Sequence, residues 1–423
     1  MLLRRNIALI YAAAFLRSLG IGLIGVVLGV YLFRIGLSST KIGFVIGAGI
    51  AGAALGLFLI SVYGNRLGRR HTLIALSVFA AIGGFGLFRI GQFALLVPLA
   101  FISMLNGMGT DRTAAFALEQ AVIPDLATEE RRTWALSWYN LVLDLGHAFG
   151  ALGAAIPLLL QRWLGGSDLL TSYRFVFLGF GLLNLASGSL YLFLTEKVEF
   201  SHPADLPAKR LDASSKSIIR RLAGLSSIDA LGGGFLTDAI VAYWFFRRFG
   251  VAEQGLGLLF FVVHILNAGS YLGAAWLARR IGLLKTMVFT HLPSSLFLVA
   301  VPFAPTFKAA AGLFLLREAL VEMDVPTRQS YIAAVVKPSE RTFASGVTNL
   351  TRNVSWAAAS SVAGMVMQFI GFSAPLFAGG GLKIGYDLLL YGAFRNVRPP
   401  EERAQKTDGH NRATNKSAPL EPP

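Results

Sequence analysis

Arg66-Leu67-Gly68-Arg69-Arg70-His71-Thr72 returns 214 residues later as Arg280-Ile281-Gly282-Leu283-Leu284-Lys285-Thr286. Each copy is a short basic turn between two long apolar runs. Two further echoes lie at nearly the same offset. Arg132-Thr133-Trp134-Ala135 recurs as Arg341-Thr342-Phe343-Ala344, with Asn140-Leu141 matching Asn349-Leu350. Leu19-Gly20 and Gly22 recur as Leu231-Gly232 and Gly234, with Tyr31 matching Tyr243. Three echoes in equivalent places predict an internal duplication, and duplicated membrane halves usually hold a binding site near mid-depth where they meet.

The runs around these turns set the class. Hydrophobic residues make up 54% of the 423 and charged residues 14%, and the mean hydropathy is +0.60. Apolar stretches of about 20 residues recur along the whole chain, the length a helix needs to cross a bilayer. Twelve spans are predicted: 6–33, 42–63, 72–91, 93–123, 134–161, 174–195, 222–246, 255–278, 284–303, 309–335, 343–370 and 374–394. The expected fold is an all-α integral membrane protein with twelve transmembrane helices in two pseudo-symmetric six-helix bundles, residues 1–195 and 222–394. Residues 196–221 read as a cytoplasmic linker and 395–423 as a disordered cytoplasmic tail, polar and without apolar periodicity.

Net charge is +15, which raises the question of nucleic acid. Placing the charges answers it. Segments on the side of the termini hold 24 of the 38 Lys and Arg, loops on the other side hold 8, and 6 lie within spans. This asymmetry is the positive-inside signature, predicting cytoplasmic N- and C-termini in a plasma or inner membrane. The basic balance follows from topology and contact with anionic lipid; no soluble basic module for nucleic acid is evident. The chain has no cysteine, so thiol chemistry, disulfides and cysteine metal sites are excluded.

With its twelve spans, its central linker and Gly64-Asn65-Arg66-Leu67-Gly68-Arg69-Arg70 after the second span, the chain resembles the major facilitator superfamily. That family's loop usually reads Gly-x-x-x-Asp-Arg-x-Gly-Arg-Arg. Here Ser61 replaces the first glycine and Asn65 the acid, while Arg66, Gly68, Arg69 and Arg70 match. The resemblance implies bundles that rock around a central site, with this loop and its echo at Arg280 and Gly282 as a cytoplasmic gate. Because Asn65 carries no charge, an ionic latch is in question, and the arginines equally suit topology alone. Gly146, Gly150 and Gly153 before Pro157 loosely resemble the glycine-rich fifth span of family antiporters, and small residues at that spacing also serve close helix packing.

Charges inside spans are costly and mark function or pairing. Arg17 and Asp229 occupy equivalent positions in the first and seventh spans, and the expectation is that they meet across the pseudo-twofold axis or share a substrate. On the fourth span Asp111 and Arg112 stand out, with Glu119 on the Arg112 face. On the fifth, Asn140, Asp144 and His147 form a polar face ending in a carboxylate–imidazole pair of the kind that relays a proton. The tenth span carries Arg317, Glu318, Glu322, Asp324 and Arg328 within twelve residues. There, Asp324 and Arg328 at i, i+4 suggest a clamp and Pro326 a bend. Asn349, Arg352, Asn353 and Trp356 share a face of the eleventh, and Lys383 and Asp387 on the twelfth are spaced to pair locally. Asp238 and His264 read as isolated.

No phosphate-binding loop, catalytic triad or three-ligand metal cluster is evident, so neither enzyme activity nor a cofactor nor a metal is expected. The leading expectation is a monomeric secondary transporter moving a small organic solute by alternating access, as proton-coupled efflux. Anion uptake or exchange, a lipid translocator, and a non-transporting sensor of the same fold remain as alternatives.

Overall fold

The computed structural model describes residues 2–110, 113–128, 131–163, 168–199, 213–336 and 341–395. The chain is built from sixteen α-helices among these residues. They are α1 (Leu2–Arg34), α2 (Ser39–Leu67), α3 (Arg69–Arg89), α4 (Phe93–Ile102), α5 (Ala114–Leu126), α6 (Arg132–Leu152), α7 (Ile156–Trp163) and α8 (Leu169–Tyr191). The second half follows as α9 (Ala213–Gly234), α10 (Asp238–Phe249), α11 (Glu253–Ile281), α12 (Leu283–Ala300), α13 (Phe307–Val321), α14 (Asp324–Val335), α15 (Arg341–Phe369) and α16 (Ala374–Phe394).

Twelve spans account for all sixteen helices, because four spans are broken: α4/α5, α6/α7, α9/α10 and α13/α14. Eight helical stretches are long and apolar enough to cross a membrane by composition alone. The others carry breaks or polar and charged residues. The protein is therefore an all-α integral membrane protein of two six-helix bundles. The face bearing the termini is called the terminal face below, and the other the distal face.

The fourth and fifth spans were expected to be continuous where the structure breaks them, the glycine run of the seventh suits a flexible break or close packing, and each break has a physical cause. In the fourth span, Asn106 replaces helical bonds with local ones: its Nδ2 donates to the Thr110 carbonyl at 2.8 Å and its Oδ1 accepts from Met108 N at 2.9 Å. Gly109 follows at φ +78°, where a side chain is disfavoured. In the fifth, a 3₁₀ turn at Gly153–Ala155 precedes Pro157, whose missing N–H interrupts the ladder. In the seventh, α9 ends on the Gly232-Gly233-Gly234 run and Thr237 caps α10 by accepting from Ile240 N at 3.4 Å. The tenth span breaks at Glu322–Met323, one turn earlier than Pro326 alone implies; the proline sits in the first turn of α14, where a helix needs no donor.

The bundles meet mainly through α2 with α15, α6 with α11, and α1 with α10. The distal half of the seventh span, α10, packs on α1 of the other bundle, whereas its terminal half, α9, packs on α15 and α16 of its own. Glycines permit close contact at the distal end. A Cβ on Gly43 would lie 2.8 Å from Gly364 N, and one on Gly29 would collide with the Ala239 carbonyl.

Candidate functional site

Asp229, on the terminal half of the broken seventh span, is the hub of the C-terminal bundle. Lys383 Nζ donates to its Oδ1 at 2.8 Å, and Arg352 and Arg328 donate to its Oδ2 at 2.6 and 3.3 Å. Asp229 is 2% exposed, so its charge is tolerable only because several cations surround it. His291 of α12 lies on the same carboxylate, Nε2 to Oδ1 3.7 Å, and its Nδ1 is 2.9 Å from Asp387. The seventh, ninth, tenth, eleventh and twelfth spans thus converge on one network. The local Lys383–Asp387 pair expected from spacing is corrected: Lys383 turns to Asp229 and His291, and Asp387 holds His291.

Within the tenth span, Arg328 ion-pairs with Asp324 one turn earlier, and Arg317 pairs with its neighbour Glu318. Glu322, at the break, accepts from the Tyr271 hydroxyl at 3.4 Å. Arg352 stacks on Trp356, its Cζ 4.8 Å from the ring centroid. Asn349 is exposed, and its carbonyl accepts from Asn353 Nδ2 at 2.9 Å.

The N-terminal bundle has its own smaller network. Arg17 spans both oxygens of Glu119, at 3.2 and 2.5 Å, and Tyr139 and Tyr191 donate to the same carboxylate at 2.7 and 2.5 Å. Glu119 is fully buried. The expected meeting of Arg17 and Asp229 is therefore corrected: each is neutralised by partners inside its own bundle. Asp111 and Arg112 lie outside the described residues.

Across the bundle interface, His147 of α6 faces His264 of α11, with ring centroids 5.6 Å apart and both residues 2% exposed. Each histidine has a carboxylate from its own bundle: Asp144 Oδ1 is 3.9 Å from His147 Nδ1, and Asp238 Oδ2 is 3.4 Å from His264 Nε2. Asp238 and His264, isolated in the sequence, are thus neighbours in a file of titratable groups that crosses between bundles. Spacing along one helix could not reveal it, because the file joins three spans.

Asp238, His264 and the groups around Asp229 surround a cavity of about 100 Å³. Met108 and Thr110, from the break in the fourth span, reach it from the N-terminal bundle. Asp229, Asp238, His264, Arg317, Glu322 and Asp324 are among the lining residues of the other. On the distal side the bundles are tied shut. Arg34 Nη2 lies 2.5 Å from Glu253 Oε1, which also accepts from Tyr173 at 2.5 Å. Ser39 and Tyr243 join hydroxyls at 3.0 Å, and Thr40 N donates to Gln368 at 3.3 Å.

The loop after α2 turns at Gly68, φ +76°, and its echo at Gly282, φ +89°. Glu199 accepts from Arg69 N and Arg70 N at 2.6 and 3.1 Å, an anion on the N-terminus of α3. Arg69 binds Asp125 at 2.7 Å and Arg70 the Leu192 carbonyl at 2.6 Å. These contacts anchor the loop to its own bundle and supply, from Glu199, an acid absent from the loop itself. Arg280 stacks on Trp276 at 4.4 Å. Asn65 and Arg66 are helical in backbone, and their side chains lie outside the described positions.

Two pseudo-symmetric helical bundles enclosing a charged central cavity, closed on one side, define a membrane transport protein. The chain belongs to the Major Facilitator Superfamily, whose match runs over residues 10–321 and again over 222–420. It is similar to an uncharacterized membrane protein of Saccharomyces cerevisiae, 26% identical over 93% of this chain and 95% of that one. Among solved structures it shares the fold of a D-xylose–proton symporter (TM-score 0.70, 15% identity, 92% of this chain and 98% of that one). It also shares that of the xylose transporter of E. coli in an inward-open conformation (TM-score 0.68, 17% identity, 91% and 95%).

Proposed function

We propose that this protein is a secondary transporter that carries a small polar organic solute by alternating access, coupled to protons, and works in the direction of efflux. The observation that carries the reading is the central cavity, lined by ionisable side chains of the C-terminal bundle, reached by Met108 and Thr110 of the other, and sealed on the distal side by the Arg34–Glu253 contact. A site sealed on one side and built from two rocking halves suits a carrier. The excess of basic residues on the terminal face supports a cytoplasmic assignment for that face in a plasma or inner membrane; on that assignment the cavity loads from the cytoplasm, and the single chain contributes both halves of the site.

Proton coupling has a physical basis in the file Asp144, His147, His264 and Asp238. Histidine changes charge near neutral pH, and here two imidazoles face one another across the surface that must part when the distal side opens. Protonation of both places like charges together and favours separation. The efflux direction draws on the resemblance of the fifth span to family antiporters; in the structure Gly146 and Gly150 serve close packing against Ser18 and Leu19.

The test is proton movement in proteoliposomes carrying a trapped pH-sensitive dye, on addition of sugars, polyols, amines and carboxylates in turn. Solute-evoked proton flux opposite to the solute supports proton-coupled efflux, and flux in the same direction replaces it with symport. Solute movement indifferent to a pH gradient removes coupling altogether.

A further inference from the structure

Resting on the transporter reading, the chemistry of the central cavity points to one class of solute. Five carboxylates line it (Asp229, Asp238, Glu318, Glu322, Asp324) against four cations (Arg317, Arg328, Arg352, Lys383). Each of those cations already binds a carboxylate: Arg317 to Glu318, Arg328 to Asp324, and Arg352 and Lys383 to Asp229. An anionic solute would have to displace one of these acids. The buried arginines are spent on internal neutralisation.

What the cavity leaves over is acceptor capacity. Asp324 Oδ1 is a buried atom without a hydrogen-bond partner, and Asp238 Oδ2 makes no hydrogen bond beyond its 3.4 Å approach to His264 Nε2; a carboxylate can only accept. Both residues open a half-helix, α10 and α14, at a break in a span. Asn267 Oδ1, unpartnered, is a third acceptor in the same lining, and its amide can turn to present either group. Arg317 Nε, which donates, completes the set, and His264 Nε2, beside Asp238 Oδ2, takes either role. Buried polar atoms are rarely left unmatched, so their gathering in one cavity describes the complement of a ligand.

We propose that the cavity binds a small organic cation with N–H donors, a primary or secondary ammonium, whose other end carries a hydroxyl or similar neutral acceptor. The ammonium lies between Asp238 and Asp324, and the acceptor faces Arg317 Nε. A cavity of about 100 Å³ limits the enclosed part to a few heavy atoms. No covalent step is involved.

The experiment uses three two-carbon probes that differ chiefly in charge: ethanolamine, ethylene glycol and glycolate, titrated calorimetrically into the full chain in nanodiscs. Ethanolamine is expected to bind saturably, with at least tenfold weaker binding in Asp238→Asn and in Asn267→Leu, while the other two probes give no saturable heat. Thermal melting confirms that both variants are folded, and either folded variant alone suffices. Glycolate binding better than ethanolamine, or ethanolamine binding equally in wild type and folded variants, overturns the proposal. Proteoliposome flux separates it from the reading beneath it. Ethanolamine binding without solute-evoked proton flux retains the amine site and removes the coupling, whereas transport of a neutral or anionic solute that ethanolamine does not inhibit retains the carrier and removes the amine site.

Discussion

The Arg34 guanidinium of the first span rests on the Glu253 carboxylate at the start of the eighth, Nη2 to Oε1 2.5 Å, and joins the two bundles on the distal side. Glu253 is 2% exposed while the Arg34 side chain is 28% exposed, so the carboxylate is buried and depends on this partner, although solvent reaches the guanidinium and weakens the pair in part. Glu253→Gln should therefore loosen distal closure. The chain has no cysteine, so a single Met108→Cys reporter in the cavity can be read without background. Labelling by an impermeant maleimide from the distal side is expected to rise several-fold in the Glu253→Gln background. Unchanged labelling would show that the apolar contacts of α1, α2, α10 and α15 hold the distal side closed without this pair.

The Arg17–Glu119 pair calls for a different outcome. Both residues are buried and the carboxylate accepts from two tyrosines as well. Removing one charge strands the other, a loss of about 3–5 kcal/mol, whereas replacing both with apolar residues of similar volume is often near neutral. Glu119→Gln should lower the melting temperature in detergent markedly, and the double replacement Arg17→Met with Glu119→Leu should recover much of it. If the double variant retains its fold but loses all flux, the pair is part of transport and not only of the bundle.

Much of this architecture was legible because the bilayer writes it directly into composition. Apolar runs reported twelve spans, and the repeated turns at Gly68 and Gly282 reported two halves. The breaks were harder to see. Asn106 and Gly109 interrupt the fourth span through side-chain-to-backbone bonds and a positive φ, and neither leaves a trace in hydropathy. Partners were harder still. Helical spacing tells which residues share a face, not which helix that face meets, so Lys383 was matched to Asp387 although it reaches Asp229 on another span. Asp229, Arg328 and Arg352 stood out singly as charges in apolar surroundings; their convergence is a property of packing. The His147–His264 contact lay beyond sequence for the same reason.

That contact predicts a pH dependence. The charged and titratable neighbours are Asp144 on α6, Asp238 on α10 and the Arg317–Glu318 pair on α13, which line the cavity with His264 or flank His147. On the proposed proton coupling, the facing imidazoles are the groups that take up protons as the pH falls. With two of them facing each other, distal accessibility of the Met108→Cys reporter should increase as pH falls. In the His147→Asn, His264→Asn double variant the response should flatten, and each single variant should lie between. A wild-type profile that stays flat from about pH 8 to about pH 5.5 would assign the file to packing.

Gly109 supplies the sharpest local prediction. Its φ of +78° disfavours a side chain, and a Cβ there would collide with Asp238 Oδ2. Beside it, the Gly107 carbonyl accepts from Ala239 N at 3.1 Å, a backbone bond between the broken fourth and seventh spans of the two bundles. Gly109→Ala must therefore strain the turn or push Asp238 out of the cavity, a loss of more than about 1 kcal/mol. The expected phenotype is a folded protein with a modestly lower melting temperature and a disproportionate loss of solute flux, because the displaced carboxylate lines the cavity proposed to hold the solute. Gly312→Ala, where no neighbour lies within 4 Å of the added methyl, is the matched control and should leave both readouts unchanged. Equal effects of the two substitutions would mean that the juxtaposition of Gly109 and Asp238 has no part in transport.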